Sequence, residues 1–260
     1  MGWLRLLVRI GGSMNAYDYL RKKRDAILAG SDLFWLPSGM SYDNVLAAYQ
    51  FVGVESENVA LEDITGHGRR LTKVKQDLVP TWNKADGFTF AQRYWDVCGY
   101  LDNADLNAQT IRSAVVRFSD VTLDNRCWLI TAGGSDGLAQ LCAAATVYTD
   151  HVVNLGGPGY TSGAETWRYG SAPMTEGVLG ANFGTADGLY INGAHAAVSS
   201  QGSCASAAGV TWHTFGNVHA DMSDLSNAQH AGKCIQAAVF FSVALSADDH
   251  AEVARRIMEV

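Results

Sequence analysis

The chain is poor in proline, with 4 residues in 260, and poor in charge, with 17% Asp, Glu, Lys and Arg. Low charge beside 48% apolar residues excludes a disordered polyelectrolyte and leaves enough apolar material for a sizeable core. There is no run of 18 apolar residues, so no helical membrane span is expected. The five cysteines, at 98, 127, 142, 204 and 234, form no CxxC pair, and an odd count at wide spacing is not a disulfide framework. Cys127, Cys142 and Cys234 lie in apolar runs and read as buried free thiols of a reducing compartment. His213, His219 and Asp221 lack the helical H-x-x-x-H spacing and the cysteine partner of a zinc site. Gly156-Gly157-Pro158-Gly159 has no following Lys-Ser/Thr and is not a phosphate loop.

Glycine, with 27 residues, is what the chain has in place of proline. Gly-rich punctuation separates short apolar runs, the composition of many strands joined by turns. A β-sandwich of roughly 200–250 residues is an ordinary single domain, so the length does not require two.

Charge is unevenly placed. Residues 1–24 hold six basic side chains and one acid, whereas the remainder holds 13 basic against 25 acidic, a net of −12. An acidic body repels phosphate backbones, so no nucleic-acid partner is expected. Arg5 and Arg9 interrupt the apolar opening MGWLRLLVRI, and no small-residue cleavage site follows. The expectation is a chain made in the cytoplasm without a signal peptide. Residues 1–13 read either as a flexible arm or as upstream read-through, because Met14 opens a well-patterned helix.

Tyr17, Leu20, Arg24, Ile27 and Leu28 recur at helical spacing and predict a helix over about 15–29, stopped by Gly30. Residues 31–44 read as an irregular linker anchored by Phe34, Trp35 and Leu36. Strands are expected at 45–53, 111–121, 127–132, 138–148, 152–155, 166–169, 188–192, 210–215 and 234–243, with turns at 133–137, 156–159 and 192–193. In Ile235–Leu245 both alternating faces are apolar, which predicts a central strand covered on both sides, by a second sheet and by a helix. That helix follows at once: Ser246 is a good N-cap, Asp248 and Asp249 fall in the first turn and Arg255 and Arg256 in the last. The fold class is therefore all-β, a two-sheet antiparallel jelly-roll sandwich with a short N-terminal helical arm and a C-terminal helix. The expected division is 1–43, arm and linker, and 44–260, the jelly roll.

Two patterns raise chemistry. Gly133-Gly134-Ser135-Asp136-Gly137 matches G-x-S-x-G, with Leu138–Ala145 as a following helix and His250 with Asp221 or Asp224 as partners for a serine hydrolase using Ser135. The same residues are ordinary hairpin-turn composition, and the strand–helix alternation of an α/β-hydrolase is missing. Asp102-Asn103-Ala104-Asp105 resembles the start of an EF-hand loop, but Asn107 and Ser113 stand where Gly and Glu belong. Tyr160, Trp167 and Tyr169 beside a Gly-rich loop, with Trp212, are candidates for stacking on sugar faces; the alternative is core or subunit contact.

The order of pieces over residues 44–260 resembles the concanavalin A-like lectin/glucanase domains, in particular the laminin-G-like jelly rolls. Ala48-Tyr49-Gln50-Phe51, then Asp63-Ile64-Thr65-Gly66 and Leu71-Thr72, are similar to the opening strand and the Asp-x-Ser/Thr-Gly loop. Leu106–Asp120 is similar to a strand that usually carries Trp where Val115 stands. Trp128-Leu129-Ile130, Leu189–Gly193 and Val239–Asp249 resemble the later hairpins, closing strand and helix cap. The resemblance implies a non-catalytic structural, adhesive or carbohydrate-binding domain. Domains of this kind are common in bacteriophage structural proteins, which implies a virion (tail or capsid-associated) component, or another assembled extracellular particle. Its partners would then be further copies of the chain or neighbouring virion subunits, reached through the N-terminal arm, and glycans. No membrane partner is expected. A polysaccharide-cleaving enzyme is the other reading, yet none of the glutamates at 55, 57, 62, 165, 176, 252 and 259 fits the family's Glu-x-Asp-x-x-Glu spacing. Some members carry calcium, for which Asp102 and Asp105 are the candidate ligands; no other cofactor is expected.

Overall fold

A computed structural model describes residues 33–74, 79–90, 100–103, 111–121, 127–134, 137–145, 151–156, 174–182, 188–196, 212–215 and 233–260. The expected helix at 15–29 and the strand at 166–169 lie outside them. The strands are β1 (Val45–Gln50), β2 (Thr72–Val74), β3 (Thr81–Asn83), β4 (Gly87–Phe90), β5 (Tyr100–Asn103), β6 (Ser113–Ser119) and β7 (Cys127–Gly134). They continue as β8 (Gly137–Ala145), β9 (His151–Gly156), β10 (Gly177–Asn182), β11 (Leu189–Ile191), β12 (Ala194–His195), β13 (Trp212–Phe215) and β14 (Lys233–Phe241). A 3-10 turn (Tyr42–Asn44), the short helix α1 (Glu57–Ala60) and the longer α2 (Ala247–Ile257) complete the described elements.

The strands form two antiparallel sheets. The larger runs β12-β11-β10-β6-β14-β4-β3, with β1 beside the second half of β14; the smaller runs β2-β5-β13-β7-β8-β9. The chain crosses repeatedly between them, as the jelly-roll reading requires. β14 is central, paired with β6 along one edge and with β4 and β1 along the other. Its residues Ile235, Ala237, Ala238, Val239, Phe240 and Phe241 are buried, which explains why no polar alternation was written into it.

Aromatic rings join the sheets. Phe215 of β13 meets Tyr49, Phe51 and Phe240 of the larger sheet at centroid distances of 5.8, 5.6 and 5.8 Å, each near an edge-to-face geometry. Such pairs contribute about 0.5–1.5 kcal/mol each beyond area burial. The outer face of the larger sheet is covered by α2, which packs on β6, β10 and β12 through Val253, Ala254 and Ile257. The Ser246 hydroxyl accepts from Asp249 N at 3.1 Å, and the Asp249 carboxylate accepts from Ser246 N at 3.0 Å, so the expected cap is a complete capping box. Asn192 (φ 49°) and Gly193 (φ 82°) turn β11 into β12 in left-handed backbone, the primed-turn geometry of an Asn-Gly hairpin.

The segment read as a linker is docked. Leu33, Phe34 and Trp35 are buried, and Arg256 of α2 donates to Leu33 O and Leu36 O, both at 3.0 Å. The hydrolase reading of 133–145 is corrected here. Gly134 pairs with Gly137 and Leu138–Ala143 pairs back onto β7, so a strand stands where a nucleophile turn needs a helix.

Candidate functional site

The proposed site residues fall unevenly. Asp102 sits in β5, its backbone paired with Thr72 on one side and Thr214 on the other, so it is not the head of an EF-hand loop. Trp212 begins β13, opposite Gly133. Asp105, Tyr160, Trp167 and Tyr169 lie outside the described residues, as do Ser135, His219 and Asp221. Among the described residues no group of three or more His, Cys, Asp and Glu is placed to hold a metal. No helix among them is long and apolar enough to cross a membrane.

His250, nominated as the partner of Ser135, is a packing residue. It lies on α2, on the face of the larger sheet turned away from the smaller sheet that carries Gly134 and Gly137. Its side chain is 1% exposed, and its Nε2 lies 2.9 Å from Asn182 Oδ1. That oxygen also accepts from Ser113 Oγ at 2.6 Å and Leu245 N at 3.1 Å, while Asn182 Nδ2 donates to Leu245 O at 2.8 Å. Asn182 therefore ties β10, β6 and the start of α2 together. Burial holds the His250 imidazolium down, to a pKa of about 3, against the opposing pull of neighbouring Asp249.

A second buried polar centre is Asp63, in the loop resembling Asp-x-Ser/Thr-Gly. Its Oδ1 accepts from Thr65 Oγ1, Thr65 N and Ala48 N at 2.6, 3.0 and 3.2 Å. Burial raises its pKa despite those donors. The loop is pinned further by Tyr42 Oη donating to Thr65 O and by Tyr49 Oη donating to Arg69 O at 2.7 Å. Its Oδ2 accepts from Arg69 N at 3.4 Å, so both carboxylate oxygens are engaged in holding β1 to its loop, a structural use.

An open site among the described residues lies elsewhere. A cleft of about 400 Å³ opens on the outer face of the larger sheet, between α2 and the edges of β6, β10 and β14. Its floor carries Arg117, mid-strand in β6, whose backbone is paired with Val178 on one side and Ala237 on the other. The guanidinium is half-buried. Its Nη1 donates to Val260 O at 2.7 Å and Ile257 O at 3.3 Å, and burial lowers its pKa. Gln236 Nε2 donates to Ser119 Oγ at 3.2 Å along one wall. Asn192 spends its Oδ1 on Val178 N at 2.9 Å, which leaves the Nδ2 donor. Glu176, Arg255 and Met258 are exposed at the lip, Met258 by 50%. The cleft therefore offers hydrogen-bonding groups of both kinds around one apolar contact, on a rigid sheet. Sequence reasoning missed it; the one signal was an arginine interrupting the apolar strand Ser113–Phe118.

No family model matches this chain, and no curated protein matches its sequence. Several solved structures share the fold at low identity. The sialidase of Trypanosoma rangeli in complex with sialic acid is 14% identical with a TM-score of 0.56, the match covering 100% of this chain and 39% of that one. Botulinum neurotoxin type C, whose cell entry is dependent upon interaction with two ganglioside molecules, is 13% identical with a TM-score of 0.55, covering 83% of this chain and 52% of that one. The binding domain of botulinum neurotoxin DC in complex with rat synaptotagmin II is 12% identical with a TM-score of 0.54, covering 83% and 52%. This chain spans between about two fifths and about half the length of those chains. The likeness is one of all-β fold.

Proposed function

We propose that this chain is a non-catalytic, carbohydrate-binding jelly roll of the concanavalin A-like kind, acting as an adhesive or structural part of a larger particle. The observation that carries the reading is the cleft under α2. A pyranose presents hydroxyl edges and an apolar face, and the cleft answers with Arg117, Gln236, Asn192 and Ser119 around the exposed side chain of Met258. The fold relatives support it, since they include a sialidase in complex with sialic acid and a neurotoxin that interacts with gangliosides. Tyr160, Trp167, Tyr169 and Trp212 are proposed as further stacking side chains, and Asp102 with Asp105 as a calcium pair. The proposed setting is a phage virion, with the basic N-terminal segment docking onto a neighbouring subunit.

The test is a glycan array probed with the full chain, beside turnover assays on ester and polysaccharide substrates with wild type and Ser135→Ala. Binding to a subset of glycans with no turnover by either protein is expected. Turnover abolished by Ser135→Ala would sink the non-catalytic reading, and a flat array would remove the carbohydrate. Electron microscopy of the native particle tests the virion setting.

A further inference from the structure

We infer that His250 is an acid-sensitive latch: a proton added to its ring releases α2 from the larger sheet and dismantles the cleft that α2 walls. The ring is 1% exposed, at the joint between α2 and the sheet. Asn182 Oδ1 can only accept, so the hydrogen of the neutral ring is assigned to Nε2, which donates to it. Nδ1 is then a bare acceptor, buried with no partner among the described residues. Gly180 closes that edge of the ring. A single Cβ there would lie 2.6 Å from Nδ1, so no water fits between the two residues. A proton on Nδ1 would be a buried charge whose N–H reaches no acceptor. With α2 away from the sheet, the same ring stands in water and takes the proton without that cost.

The groups packed around the ring do not hold a proton there. Asp249 is its neighbour on α2, but that carboxylate accepts from Ser246 N and Oγ at 3.0 and 2.7 Å, and its pull is smaller than the opposing effect of burial. Asp248 is exposed, and Glu252 is bonded to Ser38. On β11, Tyr190 stacks on the ring; on β12, the exposed His195 meets Tyr190 at 5.5 Å, where a cation would oppose one on His250. β10 carries no charged residue, and Arg117 of β6 bonds the far end of α2, at Ile257 O and Val260 O. The helix can leave without the sheets. No strand ladder runs through it, and Phe215, which joins the sheets to Tyr49, Phe51 and Phe240, packs on the face turned away from α2. Ala251, Ala254, Arg255 and Met258 form the helix side of the cleft, so the cleft exists only while α2 is docked, whatever occupies it.

The experiment is native-state amide hydrogen exchange of the full chain at pH 7.5 and 5, corrected for the intrinsic exchange rate. The amides of Val253, Ala254 and Ile257 on α2 are expected to be at least about tenfold less protected than those of Val115 in β6 and Val239 in β14 at both pH values. Their protection is expected to fall about 30-fold from pH 7.5 to 5, the linkage of one proton taken up with a pKa of 6.5 on release. Equal protection of helix and strands would mean that α2 leaves only with the whole fold, and would overturn the latch. Protection unchanged in acid would overturn His250 as its sensor. His250→Phe keeps a flat ring on Tyr190 and cannot take a proton, so the acid effect should vanish; an effect that survives would overturn the assignment. His195→Asn, at an exposed position, should keep the effect, and its loss there would put the sensor on β12 instead. One measurement needs no variant to fold. The carbon-bound ring protons of His250 in the wild-type chain should not titrate between pH 7.5 and 5. A step near 6.5 would show the docked ring taking its proton freely and would sink the inference.

Discussion

His250 lies face to face with Tyr190, ring centroids 3.7 Å apart and planes within 16°. The stack fixes the entry of α2 onto β11, and Gly180 makes room for it. With Nε2 donating to Asn182, Nδ1 is left buried without a hydrogen-bond partner among the described residues. A proton added there would be a buried, poorly compensated charge, so the fold holds this histidine neutral.

The first prediction is therefore acid sensitivity. The folded pKa of His250 lies at about 3, below its ordinary value of 6.5. A group depressed in the folded state contributes stability that is present above the unfolded pKa and lost as pH falls from 6.5 towards 3. The expected loss is about 2 kcal/mol between pH 7.5 and 5. Urea midpoints at pH 7.5, 6 and 5 measure it. His250→Phe should start less stable, because Asn182 loses a donor, but lose the slope over that range; a slope that survives the substitution would assign it to another group.

Gly180→Ala tests the same contact sterically. A Cβ at position 180 would lie 2.6 Å from His250 Nδ1 and 3.3 Å from Tyr190 Cβ, so the imidazole or the helix must move. Overpacking of this kind costs about 1–3 kcal/mol. Equilibrium denaturation should show the loss, and the near-ultraviolet dichroism of Tyr190 should change with it.

That glycine also marks where the sequence stopped being legible. The central strand and its helix were written plainly: apolar residues on both faces of Ile235–Phe241, then a Ser246 cap with acids behind it. β10 was not. Its sequence, Gly-Val-Leu-Gly-Ala-Asn, shows no alternation of apolar and polar residues and carries two glycines, yet all six residues are buried because α2 passes so close that Gly180 must lack a side chain. β2, β3, β4, β5 and β12 were missed because strands of two to four residues carry too short a pattern to show alternation. The cleft was illegible for a different reason. Arg117, Glu176, Asn192, Gln236 and Arg255 come from β6, the bend before β10, a hairpin, β14 and α2, and nothing in their spacing joins them before the sheet is built.

Asp63 separates the value of a charge from that of an acceptor. Its carboxylate is buried with a raised pKa, while its Oδ1 serves Ala48 and Thr65. Asp63→Asn keeps that acceptor and removes the charge, so stability at neutral pH should stay within about 1 kcal/mol of wild type. Asp63→Ala leaves buried donors unpaired and should cost about 2–4 kcal/mol. The two melting curves, measured together, decide between acceptor and charge.

The last prediction concerns the docked segment before β1. Glu252 of α2 accepts from Ser38 N at 2.8 Å and from Ser38 Oγ at 2.7 Å, and those bonds hold its carboxyl below the usual range. Arg256, beside it on the helix, bonds Glu252, Ser38 Oγ and the carbonyls of Leu33 and Leu36. Leu33 and Trp35 of the same segment are buried in the core, so the clasp joins apolar burial to charge-assisted bonds. Glu252→Ala should cost about 1–2 kcal/mol and expose the 33–44 segment to limited proteolysis. Its carboxylate is only partly buried, which argues against more. A chain starting at residue 42 should melt well below one starting at residue 33, by about 3 kcal/mol for the lost Leu33 and Trp35 burial. Equal melting of the two would mean that these residues rest on the domain without stabilising it.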